Sequence, residues 1–121
     1  MFDFEKLNVY TKAKDFNALI GTEVLTKNNL NKTCRDQIKR ASLSVALNIA
    51  EGASRFGIAD KRNFIVIARG SLAECVAILD IMRSENIIDD GKYKEFYSKA
   101  EEISKMLYAM IRKYESDLKK K

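Results

Sequence analysis

The chain has 121 residues, enough for one domain with its own core; it contains no proline, tryptophan or histidine and carries a net charge of +5. Without histidine there can be no Ser-His-Asp or Cys-His arrangement and no Glu-x-x-His di-iron pair. Cys34 and Cys75 match no metal or redox spacing, and neither a GxxxxGK[ST] loop nor a GxGxxG turn is present.

Other features set the setting. The N-terminus MFDFEKLNVY lacks the long apolar stretch of a secretory signal. The longest apolar runs resemble FIVIA, far short of the ~20 residues that cross a bilayer. Two unpaired thiols in so short a chain suit a reducing compartment. The expectation is a cytoplasmic protein with no cofactor, metal or membrane association.

A proline-free chain rich in Lys, Glu, Ala, Leu and Ile favours helices. Four amphipathic segments follow in order. The first covers about residues 4–27, with Asp3 as candidate N-cap and Leu7, Tyr10, Phe16, Leu19, Ile20 and Val24 apolar. An Asn-rich break, Asn28–Lys32, ends it.

The second segment covers about 33–56, with Thr33 and Asp36 in capping-box spacing. Gly57 is its expected stop, in the left-handed conformation that costs glycine little. Asp60 is then the expected cap of the third segment, about 60–85.

In that segment Ile65, Ala68, Leu72, Cys75, Leu79 and Met82 form one apolar stripe. Phe64, Ile67, Ile78 and Ile81 form a second beside it, so the helix is expected to be covered on two sides, by the core and by another subunit. A merely wide core-facing helix is the alternative.

The fourth segment, about 90–118, has the cleanest pattern. Tyr93, Ala100, Leu107 and Tyr114 recur every seven residues, interleaved with Phe96, Ile103 and Met110, and a Lys119–Lys121 tail follows. Short breaks force antiparallel neighbours. The predicted fold is a single all-α domain, an up-down-up-down antiparallel four-helix bundle.

The stretch NIAEGASRFG, Asn48–Gly57, places a carboxylate beside a glycine inside a helix. Arg40, Ser44, Asn48, Glu51 and Arg55 share one polar stripe, flanked by small residues. Gly52 and Gly70 each cost ~1 kcal/mol against alanine in a helix, so a close contact is expected at each. Glu51 has Arg55 at i+4, but Arg69 is the preferred partner, fixing the alignment of the second and third helices. Two solvated side chains are the alternative. Carboxylate chemistry by Glu51 and Asp60 has no supporting pattern.

The whole +5 excess lies between Lys32 and Arg69, where eight bases face three acids. Arg35, Lys39, Arg40, Arg55, Lys61 and Arg62 are therefore candidates to contact the phosphates of RNA or DNA. Phe56 is the only aromatic among them, which argues against base-specific reading.

The block from Arg35 to Glu74 resembles the 23S rRNA-intervening-sequence protein family, through QIKRAS (Gln37–Ser42), NIAEG (Asn48–Gly52) and IARGSLAE (Ile67–Glu74). The resemblance implies a four-helix bundle that assembles as a homo-oligomer, a pentamer. It also implies kinship with the accessory variability proteins of diversity-generating retroelements, which bind nucleic acid and a reverse transcriptase. It marks Asn48, Glu51, Gly52, Arg69, Gly70 and Ser71 as structural motif positions. The family often has proline before Asn48, where this chain has Ala46, so no proline kink is expected. It tends to be apolar around Lys61 and Arg62, where this chain is basic.

The expected function is a non-enzymatic homo-oligomer that binds RNA or DNA non-specifically through a basic face. The rival is a protein-interaction scaffold in which Tyr93, Tyr97 or Tyr114 anchors a partner.

Overall fold

A computed structural model of the chain describes residues 1–120. Four helices make up most of it: α1 (Asn8–Glu23), α2 (Lys32–Ser54), α3 (Ile58–Ser84) and α4 (Asp90–Lys119). A short 3-10 turn, Asp3–Lys6, precedes them. Of the basic tail, Lys121 lies outside the described residues.

Side-chain contacts give the direction of every seam. Asn17 meets Ser42 and Leu25 meets Arg35, so α1 and α2 run opposite ways. Ser44 meets Ser71 and Ala53 meets Lys61, so α2 and α3 do too. Arg62 meets Glu115 and Arg69 meets Ser104 between α3 and α4. Lys12 with Glu102 and Glu23 with Lys92 close the bundle between α1 and α4. Each neighbour is antiparallel, the expected up-down-up-down order.

The core lies along the axis. The predicted α3 stripe, Ile65, Ala68, Leu72, Cys75, Leu79 and Met82, is wholly buried. It meets Phe16 and Ile20 of α1, Ile38, Val45 and Ile49 of α2, and Phe96, Ile103 and Leu107 of α4 in one cluster. Phe16 and Phe96 meet edge to face at 5.7 Å, a favoured aromatic geometry. Burial pushes the Cys75 thiol up to about 12, so this cysteine packs as a small apolar side chain.

Several helix ends differ from the sequence reading. Asp3 does not cap a long first helix; it opens the 3-10 turn, and α1 starts at Asn8. Asn31, not Thr33, caps α2: its side chain accepts a 2.7 Å bond from the Cys34 amide. Asp36 is taken instead by Lys32 at 2.8 Å, and that hydrogen bond holds its carboxyl below the usual range. The helix thus begins nearer the turn, where asparagine caps as well as threonine.

Gly57 is not left-handed. Its φ of −79° and ψ of 139° are extended, and it is the residue before α3, which begins ahead of Asp60. The connection between α2 and α3 is so short that an extended path suffices. Lys61 reaches back to the Ala53 carbonyl at 3.2 Å, satisfying an acceptor at the end of α2.

The left-handed closure occurs after α3, at Asn86 (φ 60°). The amide of Asn86 bonds to Arg83 O at 3.0 Å, and that of Ile87 to Met82 O at 2.9 Å. This is the paired bonding of a Schellman motif, with buried Ile87 and Met82 as its apolar contact. Asp89 then caps α4 by accepting from the Lys92 amide at 2.7 Å. Past Ala46, α2 continues as one helix, as expected without the proline.

Candidate functional site

The NIAEG stretch and Ser71 of the ARGS stretch lie along the α2–α3 seam, and Arg69 turns into the α3–α4 seam. Asn48 donates to the Ser44 carbonyl at 2.8 Å and to its hydroxyl at 2.9 Å. The Ser44 and Ser71 hydroxyls are 2.8 Å apart. This short polar chain satisfies groups that would otherwise be costly to bury between two helices.

Gly52 is buried against α3. A Cβ there would stand 3.1 Å from the Phe64 Cβ and 3.3 Å from the Lys61 carbonyl oxygen. The expected close contact is present at Gly52. At Gly70 it is not: a Cβ there meets nothing within 4 Å, and the residue is exposed.

The Glu51–Arg69 pair does not form. Glu51 is exposed and bonds to Arg55 of its own helix at 2.6 Å. The Arg55 guanidinium lies 4.7 Å from the Phe64 ring centre. Arg69 points the other way, over Tyr108 of α4 at 5.0 Å, with its Nε 3.1 Å from the Ser104 hydroxyl. The reason is angular. On α3, Arg69 lies about 160° from Ser71, the residue that faces α2.

The six candidate phosphate contacts fall into two groups. Arg35, Lys39 and Arg40 lie near the start of α2, whereas Arg55, Lys61 and Arg62 lie at the opposite end of the bundle. Arg40 and Arg55 are about 22 Å apart along the helix. Arg35 donates to the carbonyls of Leu25 and Lys27, closing the end of α1. Arg62 donates twice to Glu115, at 3.0 and 2.8 Å. With Arg55 on Glu51 and Lys61 on Ala53, four of the six are occupied within the chain. Lys39 and Arg40 are the two exposed members, and neither has an ion pair among the described residues.

Phe56 projects fully into solvent at the α2–α3 connection. Of the tyrosines considered as anchors, Tyr93 is half-buried beneath the Arg83 guanidinium, 3.9 Å from its ring centre. Tyr114 is half-buried as well, while Tyr97 is exposed. Asp60 and Glu51 are both exposed. Among the described residues no group of three His, Cys, Asp or Glu could hold a metal ion, and no helix is long and apolar enough to cross a membrane.

The outer surface is apolar in two places. Leu43 (45% exposed) and Leu47 (56%) form a ridge on the outside of α2, beside Ile67 (50%) on α3. Around the corner, α3 and α4 enclose an open groove of about 820 Å³, lined among others by Val66, Gly70 and Ala73 of α3 and by Tyr97, Ser104 and Tyr108 of α4. The second stripe on α3 is divided: Phe64 and Ile78 are half-buried, while Ile67 and Ile81 are half exposed. Sequence periodicity marked Ile67 and Ile81. It missed Leu43, Leu47, Ser104 and Tyr108, because only the packing of neighbours decides which apolar residue of a wide stripe stays outside.

A model of the 23S rRNA-intervening sequence protein family matches residues 5–109, which include both seams. The chain belongs to this family. A solved structure from the S23 ribosomal protein family, a protein of unknown function from Bacteroides thetaiotaomicron, superposes with a TM-score of 0.80. It is 25% identical, and the match covers 85% of this chain and 97% of that one. No curated protein matches. Of the family motif positions, Gly52, Arg69 and Ser71 contact a neighbouring helix, and Asn48 bonds to Ser44 on its own. Glu51 remains on the surface, and Gly70 opens onto the groove.

Proposed function

We propose that this intervening-sequence protein is a non-enzymatic bundle that assembles with copies of itself and holds RNA or DNA non-specifically once assembled. The observation that carries the assembly is the apolar ridge and groove on the outside of α2, α3 and α4, left wet in a lone chain. The support for nucleic acid is the +5 charge, with Lys39 exposed and free to meet phosphates. One copy presents too few free cations to bind tightly. Repeating Lys39 in each subunit multiplies weak contacts by avidity.

Light scattering tests the assembly, and a salt titration of RNA or DNA binding tests the rest. Affinity should fall with salt at a log–log slope of about −0.7 for each single-strand phosphate contacted. Lys39→Glu should remove most of the binding and leave assembly intact. Lys61 and Arg62 are the wrong residues to change, because they hold the α2 end and the α3–α4 seam. Absence of any shift at low salt leaves the rival, a scaffold that meets a protein through Tyr93, Tyr97 or Tyr114, of which Tyr97 is the exposed one.

A further inference from the structure

The ridge and the groove lie on different sides of the bundle, and their charges match at the same spacing. On α2, Arg40 and Glu51 sit on the flank of the Leu43–Leu47 ridge, eleven residues apart. On α4, Glu101 and Arg112 line the groove, also eleven residues apart. Each span is about 16 Å. The signs are opposite in order: positive then negative along α2, negative then positive along α4.

We propose that the ridge of one copy docks head to tail into the α3–α4 groove of the next, with its α2 parallel to the neighbour's α4. The inference rests on the self-assembly reading and names the two surfaces involved. In this register Arg40 faces Glu101 and Glu51 faces Arg112. Leu43 comes to the level of Ser104 and Leu47 to the level of Tyr108. Gly70 lines the groove beside them. The helix penalty at Gly70, unexplained within one chain, is explained by the close approach of a neighbour's side chain.

Each acid already has a partner on its own helix, exposed Glu51 with half-buried Arg55 and Glu101 with exposed Lys105 at 3.8 Å, so docking exchanges one ion pair for another. Within one chain α2 and α4 already run the same way. A parallel docking therefore keeps every copy pointing in one direction and favours closure into a ring about an axis along the helices.

The test uses one variant per surface. Leu47→Glu spoils the ridge and Gly70→Glu fills the groove; neither position is packed inside the chain, so helicity should be unchanged. Each variant alone should run as a single 13.8 kDa chain by light scattering. Mixed, they should form a two-chain complex that grows no further, because one good ridge meets one good groove. Arg40→Glu should weaken assembly about tenfold, and Arg40→Glu with Glu101→Arg should restore it. This charge pair decides the matter if either blocking variant loses helicity.

Wild-type assembly that survives either blocking variant overturns the docking and leaves self-assembly standing. A mixture that stays single-chain overturns the head-to-tail arrangement. A wild-type chain that is itself single at high concentration removes both.

Discussion

A methyl group added at Gly52 and one added at Gly70 should act in opposite directions. Both substitutions recover ~1 kcal/mol of helix propensity. At Gly52 the new atom meets the Phe64 Cβ and a backbone oxygen, neither of which moves without shifting α3. Overpacking of that kind costs ~1–3 kcal/mol, so Gly52→Ala should be destabilising by about 1 kcal/mol net. Gly70→Ala meets nothing and should stabilise a single chain by up to ~1 kcal/mol. Urea unfolding of the two variants at low concentration, where copies are apart, checks both signs. The sequence shows both glycines as costly and gives no means of telling them apart. Which one lies under a crossing helix depends on the neighbour that α3 presents. Glu51 illustrates the same point. Two arginines were in reach by spacing, and the angular position of Arg69 on α3 sends it to Tyr108 instead.

At the scale of the helix, the termini carry the local chemistry. Asn86 stands at φ 60°, a conformation costing a β-carbon residue about 1–2 kcal/mol, somewhat less for asparagine. Its position lets the Asn86 and Ile87 amides close the last turn of α3 and seats Ile87 against the core. Asn86→Gly should hold or slightly raise stability, and Asn86→Ala should lower it by about 1 kcal/mol, both read by thermal unfolding. A valine there should cost more than alanine. The four helices were legible from spacing because their apolar stripes are long: the six-residue stripe on α3 is buried as read. The caps were not. Thr33 and Asn31 are chemically adequate alternatives at the start of α2, and Gly57, which could have closed α2 in the left-handed conformation, instead stands extended ahead of α3. The choice between them rests on where the chain must leave the bundle, a tertiary matter that local sequence does not encode.

For the whole molecule, self-association leaves a mark on unfolding. Copies that bind one another when folded and not when unfolded stabilise the fold by mass action, so the midpoint must rise with protein concentration. Each tenfold increase is worth up to about 1.4 kcal/mol per association step. For a chain of this length that corresponds to a rise of up to about 5–6 °C. The Gly70→Glu variant, with its groove filled, should show no such dependence. The salt response separates the forces at the contact. Leu43 and Leu47 bury apolar surface, which salt does not screen, whereas the Arg40–Glu101 and Glu51–Arg112 contacts sit at the rim within reach of solvent ions. The concentration dependence should therefore persist at 1 M salt, reduced in size, with the wild-type midpoint still above that of Gly70→Glu. Loss of the whole effect at 1 M salt would place the contact on charge alone and away from the ridge. A midpoint flat across a hundredfold range of concentration would mean that the ridge and groove stay open to water in the folded protein.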